Sequence, residues 1–189
     1  MRIPSCTALA LTGITWLAAC ASAPTTDTAA AISTPNKVVP FLWFQDGAEA
    51  AAKRYVALVP GSRILSISRY GEGAPRPAGT EMLVQMELGG SQVTLLNGGP
   101  QFQLNEAVSL VVRCEDQAEI DRLWAALGEG GRELACGWIQ DRWGVSWQVI
   151  PAQFDAWMSG PPERAARVMQ ALWGMVKLDI AKLQAAYDG

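Results

Sequence analysis

"EAVSLVVRCEDQAEIDRLWAALG", residues 106–128, reads as an apolar strand-like run, a capping aspartate and a helix with one buried face. In that helix Ile120, Leu123, Trp124 and Leu127 fall at i, i+3, i+4 and i+7, and Gly128 stops it. The same order occurs earlier, in "VVPFLWFQDGAEAAAKRYVALV", residues 38–59. There Asp46-Gly47-Ala48-Glu49 matches Asp116-Gln117-Ala118-Glu119. Each aspartate is expected to cap its helix, with the glutamate three residues later completing a box-like start.

Extended stretches broken by glycine follow each helix. In the first half they are SRILSISRY (62–70), TEMLVQMEL (80–88) and SQVTLLN (91–97), with the turn-rich GEGAPRPAG between the first two. In the second half the clearer ones are CGWIQDRW (136–143) and VSWQVIP (145–151). Both halves therefore read strand, helix, then about three strands, which predicts an internal duplication.

The ends bound the location. MRIPSCTALALTGITWLAAC opens on Arg2, continues as an apolar run and closes on Leu17-Ala18-Ala19-Cys20. This is the architecture of a secretory signal peptide over residues 1–19, too short to span a membrane comfortably. Its ending resembles a bacterial lipobox, which implies a lipidated (palmitate-bearing) Cys20 and a membrane partner through that anchor. An ordinary signal peptide with a cysteine near its cut site is the alternative. Ala21 rather than aspartate favours the outer membrane, facing the periplasm. Residues 20–36 are small and polar and read as a tether.

Loss of Arg2 with the signal moves the net charge from −3 to about −4, and no basic run remains. Nucleic acid is a poor partner for such a chain. Cys114 and Cys136 either bridge in an oxidising compartment or stay as buried thiols.

Several strings carry a family resemblance: FLWFQDGAEAA, DQAEIDRLWAAL, CGWIQDRWGVSWQVIP and RVMQALWGMVKLDIAKL. Together they resemble the PhnB-like branch of the vicinal-oxygen-chelate superfamily, often labelled demethylubiquinone methyltransferase-like, over residues 37 to about 184. The resemblance implies an α+β fold. Two βαβββ modules, about 37–99 and 104–150, would form a curved mixed sheet around a cavity, with a C-terminal helical arm over 151–189.

In metal-binding members the resemblance implies four ligands, one from the first and one from the last strand of each module. The matching positions are Val39, Thr94, Ser109 and Gln148. Zinc, iron or nickel wants imidazole or carboxylate donors. The chain has no histidine, so neither a metal nor any other cofactor is expected. The methyltransferase label fares no better. A glycine-rich phosphate or nucleotide turn leads from a strand into a helix, whereas Gly71–Gly73 follow a strand into a loop and Gly128–Gly131 end a helix.

Strand alternation sorts the faces. Phe41, Trp43, Gln92, Thr94, Ser109, Arg113, Ser146 and Gln148 share one mixed face and are the pocket candidates. Leu42, Phe44, Val108, Leu110, Val112, Val93, Leu95, Val145, Trp147 and Val149 form the opposite, apolar face, suited to packing on the helices. Trp43 either stacks a ligand or fills core; Arg113 either binds an anion or sits in a salt bridge. Trp138 and Trp143 lie beside a turn, where parity assigns no face.

In the C-terminal segment Met169, Leu172, Trp173, Val176, Ile180, Leu183 and Tyr187 form one helical stripe, widened by Val168, Met175 and Leu178. It is expected to pack on its own module or across a homodimer. The leading functional expectation is a non-catalytic small-molecule-binding module on an envelope lipoprotein, of unknown ligand and with no catalytic residues. The rivals are a metal-independent enzyme using Arg113 or Glu87, and an envelope structural or interaction protein with a filled cavity.

Overall fold

The computed structural model describes residues 36–189. The segment expected to be a signal peptide, Cys20 and the expected tether up to residue 35 lie outside the described residues. The first module runs β1 (Phe41–Phe44), α1 (Ala48–Leu58), β2 (Arg63–Arg69), β3 (Glu81–Leu88) and β4 (Ser91–Asn97). The second repeats it as β5 (Ser109–Cys114), α2 (Gln117–Gly128), β6 (Arg132–Glu133), β7 (Trp138–Gln140) and β8 (Ser146–Pro151). After these come α3 (Phe154–Met158), α4 (Pro162–Trp173) and α5 (Ile180–Asp188).

The chain is an α+β domain of two βαβββ modules with a C-terminal helical region. Each module forms its own four-stranded mixed sheet, ordered β1-β4-β3-β2 and β5-β8-β7-β6. The identical order is the duplication seen in the sequence. In each module the first strand pairs in parallel with the last, as its crossover helix requires, and lies at the sheet edge.

The predicted apolar face packs as expected. Leu42, Phe44, Val93, Leu95, Val145, Trp147 and Val149 are buried in one core with Tyr55 of α1 and Ile120, Leu123 and Leu127 of α2. Val108 is the exception: it lies just before β5 and is exposed. The helices join the modules. Arg54 of α1 donates to the Ala126 carbonyl in the last turn of α2 (2.5 Å), and Arg122 of α2 donates to the Leu58 carbonyl at the end of α1 (3.1 Å). Each arginine thus satisfies an orphan carbonyl at the other helix's negative end.

The two capping signals diverge. Asp116 accepts from the Glu119 amide (2.8 Å), and Glu119 reaches back to the Glu115 amide (2.9 Å). Asp46 does not cap α1. The residue after it is Gly47, which adopts φ 79° and becomes the N-cap, so the Asp46 carboxylate turns to the Gly47 amide instead (2.9 Å). The Ala48 amide is satisfied by Asn97 of β4, at 2.8 Å. The left-handed turn also brings Gly47 against Trp143, whose Nε1 would lie 2.9 Å from an added Cβ.

The C-terminal stripe is not one helix. It breaks after α4 because the carbonyls of Met175 and Val176 accept from the amides of Cys136 and Gly137, both at 2.8 Å. Asp179 then caps a fresh helix through the Lys182 amide (3.1 Å). Trp173 is consequently 64% exposed and Val176 48%, while Val168, Leu172, Leu178 and Leu183 bury with Ile150 and Trp157 in a second core. The region therefore packs on its own chain, pinned to α2 by Gln117, which accepts from the Ile180 amide and donates to the Leu178 carbonyl.

Candidate functional site

The eight sequence candidates divide between the two sheets. On the first, Phe41 and Thr94 are register partners and Trp43 stands beyond Phe41 on the same face. Phe41 is 56% exposed, whereas Thr94 is buried. Trp43 is committed to the loop after β4: its indole donates to the Gly99 carbonyl (2.8 Å) and meets Phe102 edge-on at 5.0 Å. An added Cβ at Gly98 would lie 2.3–2.7 Å from the indole, so the ring lies flat on that glycine. The Gln92 carbonyl oxygen accepts from the Asn36 amide at 3.1 Å.

On the second sheet, the Gln148 amide donates to the Ser109 hydroxyl at 2.9 Å. Ser146, flanked by Ser109 and Gln140, is 1% exposed, and its hydroxyl has no partner. A buried hydroxyl without a partner is costly, so this face holds unspent hydrogen-bonding capacity. The Arg113 guanidinium is paired with Asp155 at 2.9–3.0 Å. Trp138, which parity left unassigned, is the β7 partner of Gln148 and so shares its face. No hydrogen bond among the described residues links the candidates of one sheet to those of the other.

The inferred metal quartet does not fit a metal. Val39 offers no donor, Thr94 and Ser109 offer neutral hydroxyls, and the Gln148 amide is already bonded to Ser109. Uncharged donors do not offset an ion's dehydration. Among the described residues no group of three or more His, Cys, Asp or Glu stands close enough to hold one. A methyl-donor turn fares the same way. Gly71–Gly73 lie in the loop between β2 and β3, and Gly128–Gly131 close α2 and lead to β6. Neither run opens a helix.

A cleft of about 640 Å³ opens between the modules, along the free edge of β5. That volume lies within the range of small-molecule sites, roughly 300–1,000 Å³. Its floor is apolar, formed by Leu88, Val93, Leu110, Val112 and Trp147, between the proline walls Pro40 and Pro60. Ser91, Ser109, Arg113, Glu115 and Glu119 supply the polar rim. Only Ser109 and Arg113 of the sequence candidates line it. Parity had placed Leu110, Val112 and Trp147 wholly in the core. The cleft wraps around an edge strand, so both faces of residues 109–113 reach it. An alternation pattern separates faces but does not identify an edge.

Cys114 and Cys136 are both free thiols. Burial first, then the nearby Glu119 carboxylate, pushes the Cys114 thiol up to about 12. A thiol so disposed is a core group rather than a nucleophile.

The family model for 3-demethylubiquinone-9 3-methyltransferase matches residues 36–150. A PhnB protein from Bacillus cereus is 34% identical, with a TM-score of 0.56, over 61% of this chain and 98% of that one. The protein PA1353 from Pseudomonas aeruginosa shares the fold at 24% identity and a TM-score of 0.50, over 60% of this chain and 96% of its own. A comparison with curated proteins finds no match.

Proposed function

The chain belongs to the 3-demethylubiquinone-9 3-methyltransferase family, and on that premise we propose that it is a metal-independent small-molecule-binding domain. The observation that carries this reading is the inter-module cleft. It combines an apolar floor, a few hydrogen-bonding groups at the rim and a ligand-sized volume, the usual composition of a binding site. The part-buried Ser109–Gln148 pair extends the polar groups beyond β5 onto β8 of the second sheet. In this reading three of the four metal positions, Thr94, Ser109 and Gln148, have become neutral hydrogen-bonding groups, and the fourth, Val39, is apolar.

The lipobox-like Leu17-Ala18-Ala19-Cys20 supports display of the domain on an envelope lipoprotein, with lipid on Cys20. Growth with a labelled fatty acid tests that: label retained by a Cys20→Ser form would refute it. Exposed Phe41 and Phe102 beside Trp43 support a homodimer that uses the open face of the first sheet. Sedimentation of the wild type and of Phe41→Ser tests the pairing; a monomeric wild type would refute it.

Binding is tested by screening neutral drug-sized molecules against tryptophan fluorescence. Hits should disappear in Ser91→Trp, where a bulky side chain closes the rim from an exposed position. Hits that survive Ser91→Trp, or an empty screen together with no binding of charged amphiphiles at residues 109–113, would refute the cleft. Elemental analysis should find well under one equivalent of zinc, nickel, iron or manganese, and a chelator should leave Tm unchanged.

The family's description favours methyl transfer as a second reading. Transfer of label from a methyl donor to a demethylated quinol, abolished by Ser91→Trp, would establish it.

A further inference from the structure

We propose that the inter-module cleft takes an elongated apolar molecule with a cationic end, its chain on the Leu88–Val93–Val112 floor and its positive group beside Glu115. This rests on reading the cleft as the binding site and adds the chemical class of its occupant.

The argument is one of charge at the rim. Three charged side chains line the cleft: Arg113, Glu115 and Glu119. The Arg113 guanidinium is already neutralised by Asp155 at 2.9 Å. Glu119 is held by Arg122 at 3.4 Å and by the Glu115 amide at 2.9 Å. Glu115 alone has no ion-pair partner among the described residues. The uncompensated charge is therefore negative, and it stands, exposed, on the lining of a cleft with an apolar floor.

The same negative environment is felt next door. Burial is the first reason the Cys114 thiol stays protonated; beside it the carboxylates of Glu119, Asp116 and Glu115 act in the same direction and Arg122 against them. An anionic occupant would meet Glu115 with like charge. A neutral one would cover the carboxylate's water without replacing it. A cation offsets that loss. The apolar floor and proline walls ask for a chain rather than a compact polar ion, and Ser91 and Ser109 offer hydroxyls along it.

The test compares three probes with the same chain: octylammonium, 1-octanol and octanoate, each below its aggregation concentration. Calorimetry gives the affinities, and backbone amide shifts over residues 109–113 report the location. Octylammonium should bind about three- to fivefold tighter than octanol, the scale of a rim ion pair, with octanoate weakest. Salt at 0.5 M should close the gap between the first two. Glu115→Gln should reduce octylammonium to the octanol value and leave octanol unchanged. Ser91→Trp should abolish all three and their shifts at 109–113.

If octanol binds as tightly as octylammonium, or Glu115→Gln changes nothing, the cationic assignment falls and the cleft stands. If no probe perturbs residues 109–113 and the screen for neutral ligands is also empty, both fall.

Discussion

Asp141→Ala should be among the most damaging single changes in the protein. The Asp141 carboxyl is buried and accepts from the Tyr55 hydroxyl (2.5 Å), the Trp147 indole (3.1 Å) and the amides of Trp143 (2.9 Å) and Val145 (3.0 Å). It therefore holds the 141–145 turn and ties α1 of the first module to β8 of the second. Alanine leaves two fully buried side-chain donors unpartnered, each costing about 1–3 kcal/mol. The Trp143 amide is only part-buried and recovers some of its loss through water, whereas the Val145 amide is buried and does not. The expected total is about 3–5 kcal/mol, a large share of the roughly 5–15 kcal/mol of a typical domain. Asp141→Asn keeps an oxygen for the turn amides but presents an N–H₂ to the indole donor, and should cost about 1–3 kcal/mol. Tyr55→Phe combined with Asp141→Ala should cost less than the sum of the singles, with a coupling of about 0.5–3 kcal/mol. Urea unfolding with a constant slope measures all of these. An alanine cost below about 1 kcal/mol, or an asparagine worse than alanine, would refute this account of the module junction.

Three further outcomes follow from the same structure. Gln148→Ala should cost only about 0.5–1.5 kcal/mol, the net value of its hydrogen bond to Ser109, whereas Trp147→Ala, one residue away and buried, should cost about 3–5 kcal/mol; the reverse order would invert the facing of β8. Acid should destabilise the fold in a salt-sensitive way. Lys53 beside Glu49, Lys177 beside Asp121, Arg142 beside Glu129, and the Lys182 backbone amide and then its ammonium beside Asp179 each lower a carboxyl's affinity for protons on folding. Their stabilisation is present above the ordinary carboxyl range, roughly pH 4, and is lost as pH falls through the folded values. With no imidazole to titrate, chemical denaturation midpoints should be flat between about pH 6 and 8; a midpoint that rises on acidification would contradict the signs. Peptide mapping after alkylation of the native protein at pH 8 should find Cys136 modified well before Cys114, since Cys114 is buried and its thiol is raised to about 12; equal rates would show that the core around β5 opens readily.

Much of the fold was written in local pattern. The period-3.6 face of Ile120, Leu123, Trp124 and Leu127 and the period-2 alternation of SQVTLLN and SWQVI each depend only on neighbours along the chain. They placed α2 and the strands other than the short β6, and separated the core face from the mixed face. The repeated Asp-x-Ala-Glu and its element order announced the two modules. The absence of an imidazole and the neutral quartet of Val39, Thr94, Ser109 and Gln148 were likewise legible, because they concern which residues exist.

Tertiary structure decided what depends on meeting a distant partner. Asp46 and Asp116 look alike in sequence, yet only Asp116 caps, because Gly47 turns left-handed against Trp143 and Asn97 takes over the cap. The C-terminal stripe is continuous in sequence and broken in space, because the 136–137 turn claims the carbonyls that would extend α4. Trp43 and Arg113 each had two readings, which Gly98 and Asp155 resolved from remote positions in the chain. The cleft itself lies along the outer edge of β5. Whether a strand is an edge is a property of the sheet it joins, and no stretch of its own residues encodes it.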